Sequence, residues 1–224
     1  TGLGDYGDLG FVEPLEHFLH AAVAEADLNA MGLIGLKMDV IRLLANRLRM
    51  QDDLKRHPEI RDEDVSDPIV ITGLPRTGTT KLQRMLAQAP RFQSLALWRA
   101  LNPAPLSGST SGNPDPRIAL AGAMTDQLTQ MFPGFLAAHP MQPTEAEEEV
   151  LLLQLSFETP GLAWFYRMPS YYDWVQGRPQ KRPYQELRTT LQYLQWQDGG
   201  RRDRPWVLKS PIHLGALSNI AETF

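Results

Sequence analysis

The chain has no cysteine among its 224 residues. That excludes disulfides, thiolate metal sites and cysteine nucleophiles, and it fits a reducing, cytoplasmic setting. No apolar run comes near the roughly 18 residues that a membrane-spanning helix needs. Glycine (17) and proline (18) make about 16% of the chain, well under the roughly 25–30% of low-complexity sequences, so collagen-like and disordered readings fall away. A strong charge of either sign is missing as well. The 22 basic and 26 acidic residues leave −4, which offers nothing to a nucleic-acid backbone. Thr1-Gly2-Leu3-Gly4-Asp5 carries no leader pattern. Phe224 stops inside a helical pattern, so a chain cut at both ends is expected. What is present, 42% hydrophobic and 21% charged residues, is a globular composition, one large domain or two small ones.

The periodicity predicts amphipathic helices over 11–28, with Leu15, Phe18, Leu19, Ala22, Val23 and Ala26 on one face, and over 33–56. His57-Pro58 ends the second, because a residue before proline leaves the α region. After the polar segment 59–67 the character changes. Ile69-Val70-Ile71-Thr72 is a β-branched run suited to a buried strand. A glycine-containing loop follows, then a helix to about Gln88 with Leu82, Met85 and Leu86 expected inward. A second strand is expected at 95–98 and a Pro/Gly/Ser loop over 102–115. Asp115-Pro116 reads as an N-cap with proline at the first helical position. Thr144 and Glu147 have capping-box spacing and predict a helix from Glu145 to about Leu155. A further helix spans 184–196, stopped by Asp198-Gly199-Gly200. Trp206-Val207-Leu208-Lys209 reads as the last strand, with Ser210-Pro211 opening a closing helix. Strand–loop–helix units among long helices argue for an α/β fold. The expectation is a three-layer core with a parallel sheet, N-terminal helices over 1–67 and a domain over 68–224 with a helical insertion between its first and last strands.

The loop Gly73-Leu74-Pro75-Arg76-Thr77-Gly78-Thr79-Thr80 is the most informative stretch. Gly73 and Gly78 permit the left-handed dihedrals of a tight strand-to-helix turn. Such a turn aims successive backbone N–H groups at one spot beside a helix N-terminus, an anion site. Three threonine hydroxyls and the Arg76 fork suit phosphate or sulfate oxygens. The spacing nearly matches G-x4-G-K-[ST], but Thr79 stands where that pattern needs lysine. Ordinary ATP or GTP hydrolysis is therefore disfavoured.

PIVITGLPRTGTTKLQRMLAQAPRF resembles the 5′-phosphosulfate loop of sulfotransferases, in particular the bacterial branch reading P-R-T-G-T-T, and is similar to the tyrosylprotein sulfotransferases. TGLGDYG, LALWRALNPAP and WVLKSPIHLGAL resemble three further blocks of that branch. The resemblance implies a P-loop-type α/β fold, 3′-phosphoadenosine 5′-phosphosulfate (PAPS) as donor, its desulfated product PAP, and in-line transfer to a hydroxyl or amine with no metal. It implies donor contacts from Leu74, Pro75, Arg76, Thr77, Gly78, Thr79 and Thr80, and a Lys209 that steadies the bridging oxygen or the sulfuryl group. Two departures stand out. The family's block binding the 3′-phosphate lies beyond Phe224, and the glutamate often found after the tryptophan is Arg99. A P-loop kinase or hydrolase and a non-catalytic nucleotide-binding fragment stay open as alternatives. The acceptor stays open too, among small molecules, glycans, lipids and peptides, as does the oligomeric state.

The proton acceptor is sought in two places. His139 sits in a proline-rich loop, and a neutral imidazole is a competent base near pH 7. Glu145, Glu147, Glu148 and Glu149 read as first-turn carboxylates favoured by the helix dipole, which would lower their pKa values. Glu147 has the capping alternative, so Glu148 ranks behind His139 as base. Arg76 and Lys209 complete the expected catalytic set. The aromatic segment 164–174 reads equally as core packing or as an apolar acceptor pocket. His17 and His20 share a helix face without a third ligand, so no metal site is expected. Arg201, Arg202 and Arg204 read as a solvated basic turn.

Overall fold

The computed structural model describes residues 1–106, 114–134, 139–200 and 203–224. Three short strands, β1 (Ile69–Ile71), β2 (Gln93–Ser94) and β3 (Trp206–Lys209), form one parallel sheet in the order β1-β3-β2. Ile69 pairs with Val207 and Ile71 with Lys209. The apolar runs 69–71 and 206–209 are therefore adjacent in the sheet. All of β3 is buried, as the centre of a parallel sheet requires.

Two helices precede the sheet, α1 (Val12–Glu25) and α2 (Ala30–Arg56). α2 begins earlier than its apolar pattern because the Asn29 side chain accepts from the Gly32 N–H at 2.9 Å, an N-cap. Phe11, Phe18, Leu43 and Leu54 of this region share a core with Phe157, Tyr171 and Tyr193. Val23 and Leu19 of the expected α1 face are exposed instead. A second core gathers Leu95, Leu97, Leu151–Leu153, Leu187, Leu191, Trp206 and Leu208 around the sheet.

Behind β1 the chain enters α3 (Thr79–Ala87). Its expected inward face is wrong: Leu82 is 48% and Met85 61% exposed. The buried side chain is Gln83, whose amide donates to the Glu147 carbonyl at 3.0 Å. The strand expected at 95–98 does not form: β2 covers Gln93–Ser94, and Leu97 and Trp98 begin α4 (Leu97–Leu101). α5 (Pro116–Met131) starts on the predicted cap, Asp115 accepting from the Arg117 N–H at 2.9 Å. Of the loop expected over 102–115, residues 107–113 lie outside the described residues.

The helix expected from Glu145 does not form there. Ala146 bridges antiparallel to Ala96, and the Glu147 N–H donates to the Leu95 carbonyl at 2.8 Å. That extended pairing holds the acidic run out of a helix, and α6 spans only Val150–Leu153. The capping box is absent with it. α7 (Pro169–Gln176), α8 (Lys181–Gln197) and α9 (Leu217–Thr223) complete the chain. Gly199 and Gly200 stop α8 with positive φ. Ser210 caps as predicted, accepting from the Ile212 N–H at 3.4 Å, but the turn it opens is a 3-10 turn, Pro211–Gly215, before α9. Among the described residues no helix is long and apolar enough to cross a membrane.

Candidate active site

The loop between β1 and α3 is exposed from Leu74 to Gly78. Gly78 supplies the expected left-handed turn, with φ 87° at the start of α3. Gly73 does not; the second positive φ belongs to Arg76, at 68°. A non-glycine residue there is strained, the kind of strain that concentrates at ligand sites. Gly73 serves close approach instead, since a Cβ would lie 3.3 Å from the Thr77 hydroxyl. That hydroxyl donates to the Leu74 carbonyl at 2.7 Å and fixes the loop. The Thr72 hydroxyl donates to the Ser210 carbonyl at 3.1 Å, which ties the root of the loop to the end of β3.

At that end of β3 three consecutive carboxylates meet three basic partners. The Glu147 Oε1 lies 3.0 Å from His139 Nε2 and accepts the Glu148 N–H at 2.9 Å. Glu148 accepts from the Lys209 ammonium. Glu149 accepts the Lys209 N–H at 2.8 Å and pairs with His213 Nε2. The Tyr184 hydroxyl lies 2.7 Å from the other nitrogen of His213. Glu147, Glu148, Glu149, Lys209 and His213 are all buried. Burial holds the Glu148 carboxyl above its usual range, with Lys209 opposing. Glu148 lies ahead of the short α6, not in the helical first turn expected for it. The Glu147 carboxylate, ahead of an opposing burial effect, raises the His139 imidazole above its ordinary value.

A carboxylate oxygen accepts, so in this contact His139 Nε2 is the donor. One ligand atom from each of His139, Glu147 and Glu148 lies within 4.8 Å of the others. Both carboxylates also have basic partners, Glu147 the His139 ring and Glu148 the Lys209 ammonium. Elsewhere His17 stacks on Trp174 at 4.1 Å between ring centroids. Arg99 is buried, donating to Asp198 at 2.7 Å and to the Leu194 carbonyl. Arg201 and Arg202 lie outside the described residues.

A cavity of about 970 Å³ is lined by Pro75 of the loop, by His139, Glu147 and Glu148, and by Trp164, Phe165, Tyr166 and Tyr172. In the aromatic segment Tyr171 is core, while Trp164, Phe165, Tyr166 and Tyr172 line the cavity. Sequence reasoning missed the Glu147–His139 and Glu149–His213–Tyr184 pairings. The signal available was the position of the acidic run directly before Val150-Leu151-Leu152-Leu153, an apolar stretch with no polar face.

Residues 68–224 match the model of the sulfotransferase family. The chain belongs to that family. The structure is similar to sulfotransferase STF1 from Mycobacterium tuberculosis H37Rv, with 32% identity and a TM-score of 0.84, covering all of this chain and 61% of that one. It has the fold of sulfotransferase STF9 from Mycobacterium avium as well, at 23% identity and TM-score 0.81, covering 57% of that chain. The sequence thus spans about 60% of the length of these solved relatives. No curated protein matches it.

Proposed function

We propose that the protein moves a sulfuryl group from PAPS to a hydroxyl or amine acceptor and releases PAP. The observation that carries this is the Ile71–Lys209 pairing. It puts the anion-binding loop and a buried lysine at the carboxyl ends of adjacent parallel strands, where ligands of open α/β sheets bind. The backbone amides of 74–80, with Arg76, Thr79 and Thr80, hold the 5′-phosphosulfate. Glu148 orients the ammonium of Lys209 toward the bridging oxygen. In the transfer the acceptor oxygen forms a bond to sulfur as the bridging S–O bond breaks, and that bond's electrons stay on the phosphate oxygen. The acceptor proton passes to His139, oriented by Glu147. Lys209 accelerates the step because its charge acts most on the density that develops at the leaving oxygen.

Thermal-shift titration with PAP, ATP and ADP, with labelled-sulfuryl transfer from PAPS in parallel, tests the reading. Stabilisation by PAP together with transfer supports it. A preference for ATP with Mg²⁺ would favour a kinase or hydrolase, and PAP binding without turnover a non-catalytic module.

A further inference from the structure

We infer that the acceptor is an alcohol carrying a long, flexible apolar chain, taken up by the same cavity that presents His139; the inference rests on the sulfotransferase reading above. The cavity, about 970 Å³, is at the top of the range for single small ligands. Its wall carries Met31, Met38, Met124, Met131 and Met141, five of the chain's eight methionines. Unbranched thioether side chains repack around ligands of variable shape, which suits a flexible chain better than a rigid polar one.

Several polar groups of the wall are already paired, although Arg42 Nε is buried without a partner among the described residues. Asp39 accepts from Arg42 at 3.4 Å and from the Tyr166 hydroxyl at 3.2 Å, and Arg42 also donates to the Leu101 carbonyl at 2.7 Å. The Gln180 amide donates to the Val175 carbonyl and the Gln176 amide to the Tyr172 hydroxyl. A glycan needs a hydrogen-bond partner for nearly every hydroxyl it buries, and this mainly apolar wall offers too few for all of them. An alkyl chain loses nothing and gains from every methylene removed from water. The hydroxyl end is fixed by chemistry: it must reach His139, on the same cavity as Pro75 of the donor loop.

The test is calorimetric binding of 1-hexanol, 1-octanol and 1-decanol to the complete chain without donor, followed by kcat/KM for the same alcohols and for glucose with PAPS saturating. Affinity is expected to rise about three- to fourfold per methylene, kcat/KM in parallel, with glucose a poor acceptor. Met38 is 61% exposed on the cavity wall, so Met38→Asp spares the core. It should lower decanol affinity at least tenfold and leave PAP affinity unchanged, and Met38→Leu should restore it. Should Met38→Asp not fold, the wild-type series decides alone. PAP binding with no dependence on alcohol length, or equal use of glucose, would overturn the inference. So would a complete chain that fills the cavity with its own residues and binds no alcohol. Length-dependent alcohol binding without PAP binding or turnover would instead remove the sulfotransferase reading and leave the ligand class standing.

Discussion

Lys209, at the last position of the central strand, gives its ammonium to Glu148, and neither side chain is more than about a tenth exposed. A buried ion pair contributes little net stability, but removing one partner strands the other charge at about 3–5 kcal/mol. Lys209→Met is therefore expected to lower the Tm and to cut kcat by about 10²–10³-fold, the scale of losing one transition-state donor. PAP affinity should change little. Adding Glu148→Gln should recover much of the Tm and none of the rate. If PAP affinity falls as much as kcat does, Lys209 is a binding residue only.

Arg76 is held at φ 68° in the loop proposed to bind the donor. Arg76→Ala is expected to weaken PAP by about 1.5–3 kcal/mol, the worth of hydrogen bonds to charged groups. Calorimetry on the complete chain reads this directly, and an unchanged Kd would remove Arg76 from the donor site.

The pH profile tests the base. As the proposed base, His139 would work only when neutral, so kcat/KM is expected to fall as pH drops through its pKa. Glu147 raises that pKa, so the acid limb should lie above about pH 6.5, the unperturbed imidazole value. Glu147→Gln should move the limb to lower pH, and His139→Ala should abolish it along with most activity. A limb unmoved in His139→Ala would pass the role to Glu148, with Glu148→Gln as the next variant.

Glu149 is fully buried and holds the Lys209 N–H and His213. Glu149→Ala leaves both without that partner and is expected to cost about 3–5 kcal/mol. For a chain of this size that is a fall of about 6–20 °C in Tm by calorimetry. A shift under 2 °C would mean that the Glu149–His213 pair stabilises nothing.

Two of the sheet's three strands were legible in the sequence because their signals are local; β2 (Gln93–Ser94) was not. Ile69-Val70-Ile71 and Trp206-Val207-Leu208 are apolar runs, each followed by a turn residue that the structure uses, Gly78 in one case and Ser210 in the other. Asp115-Pro116 reads correctly for the same reason. The acidic run does not. Thr144 and Glu147 have the right spacing for a local cap, yet Glu147 is claimed by His139, Glu148 by Lys209 and Glu149 by His213, from 8 to 64 residues away. Nothing within a helical turn encodes those partners. α3 misleads similarly: Leu82 and Met85 look like an inward face, but the polar Gln83 is buried because it satisfies the Glu147 carbonyl.

The most direct measurement is calorimetric titration of the complete chain with PAP and, separately, with ATP. PAP should bind at a single site, more tightly than ATP and without Mg²⁺, and Arg76→Ala should weaken it. Binding of ATP equal to or tighter than PAP, or no heat with PAP, would contradict the assignment of the loop 73–80 to a phosphosulfate donor.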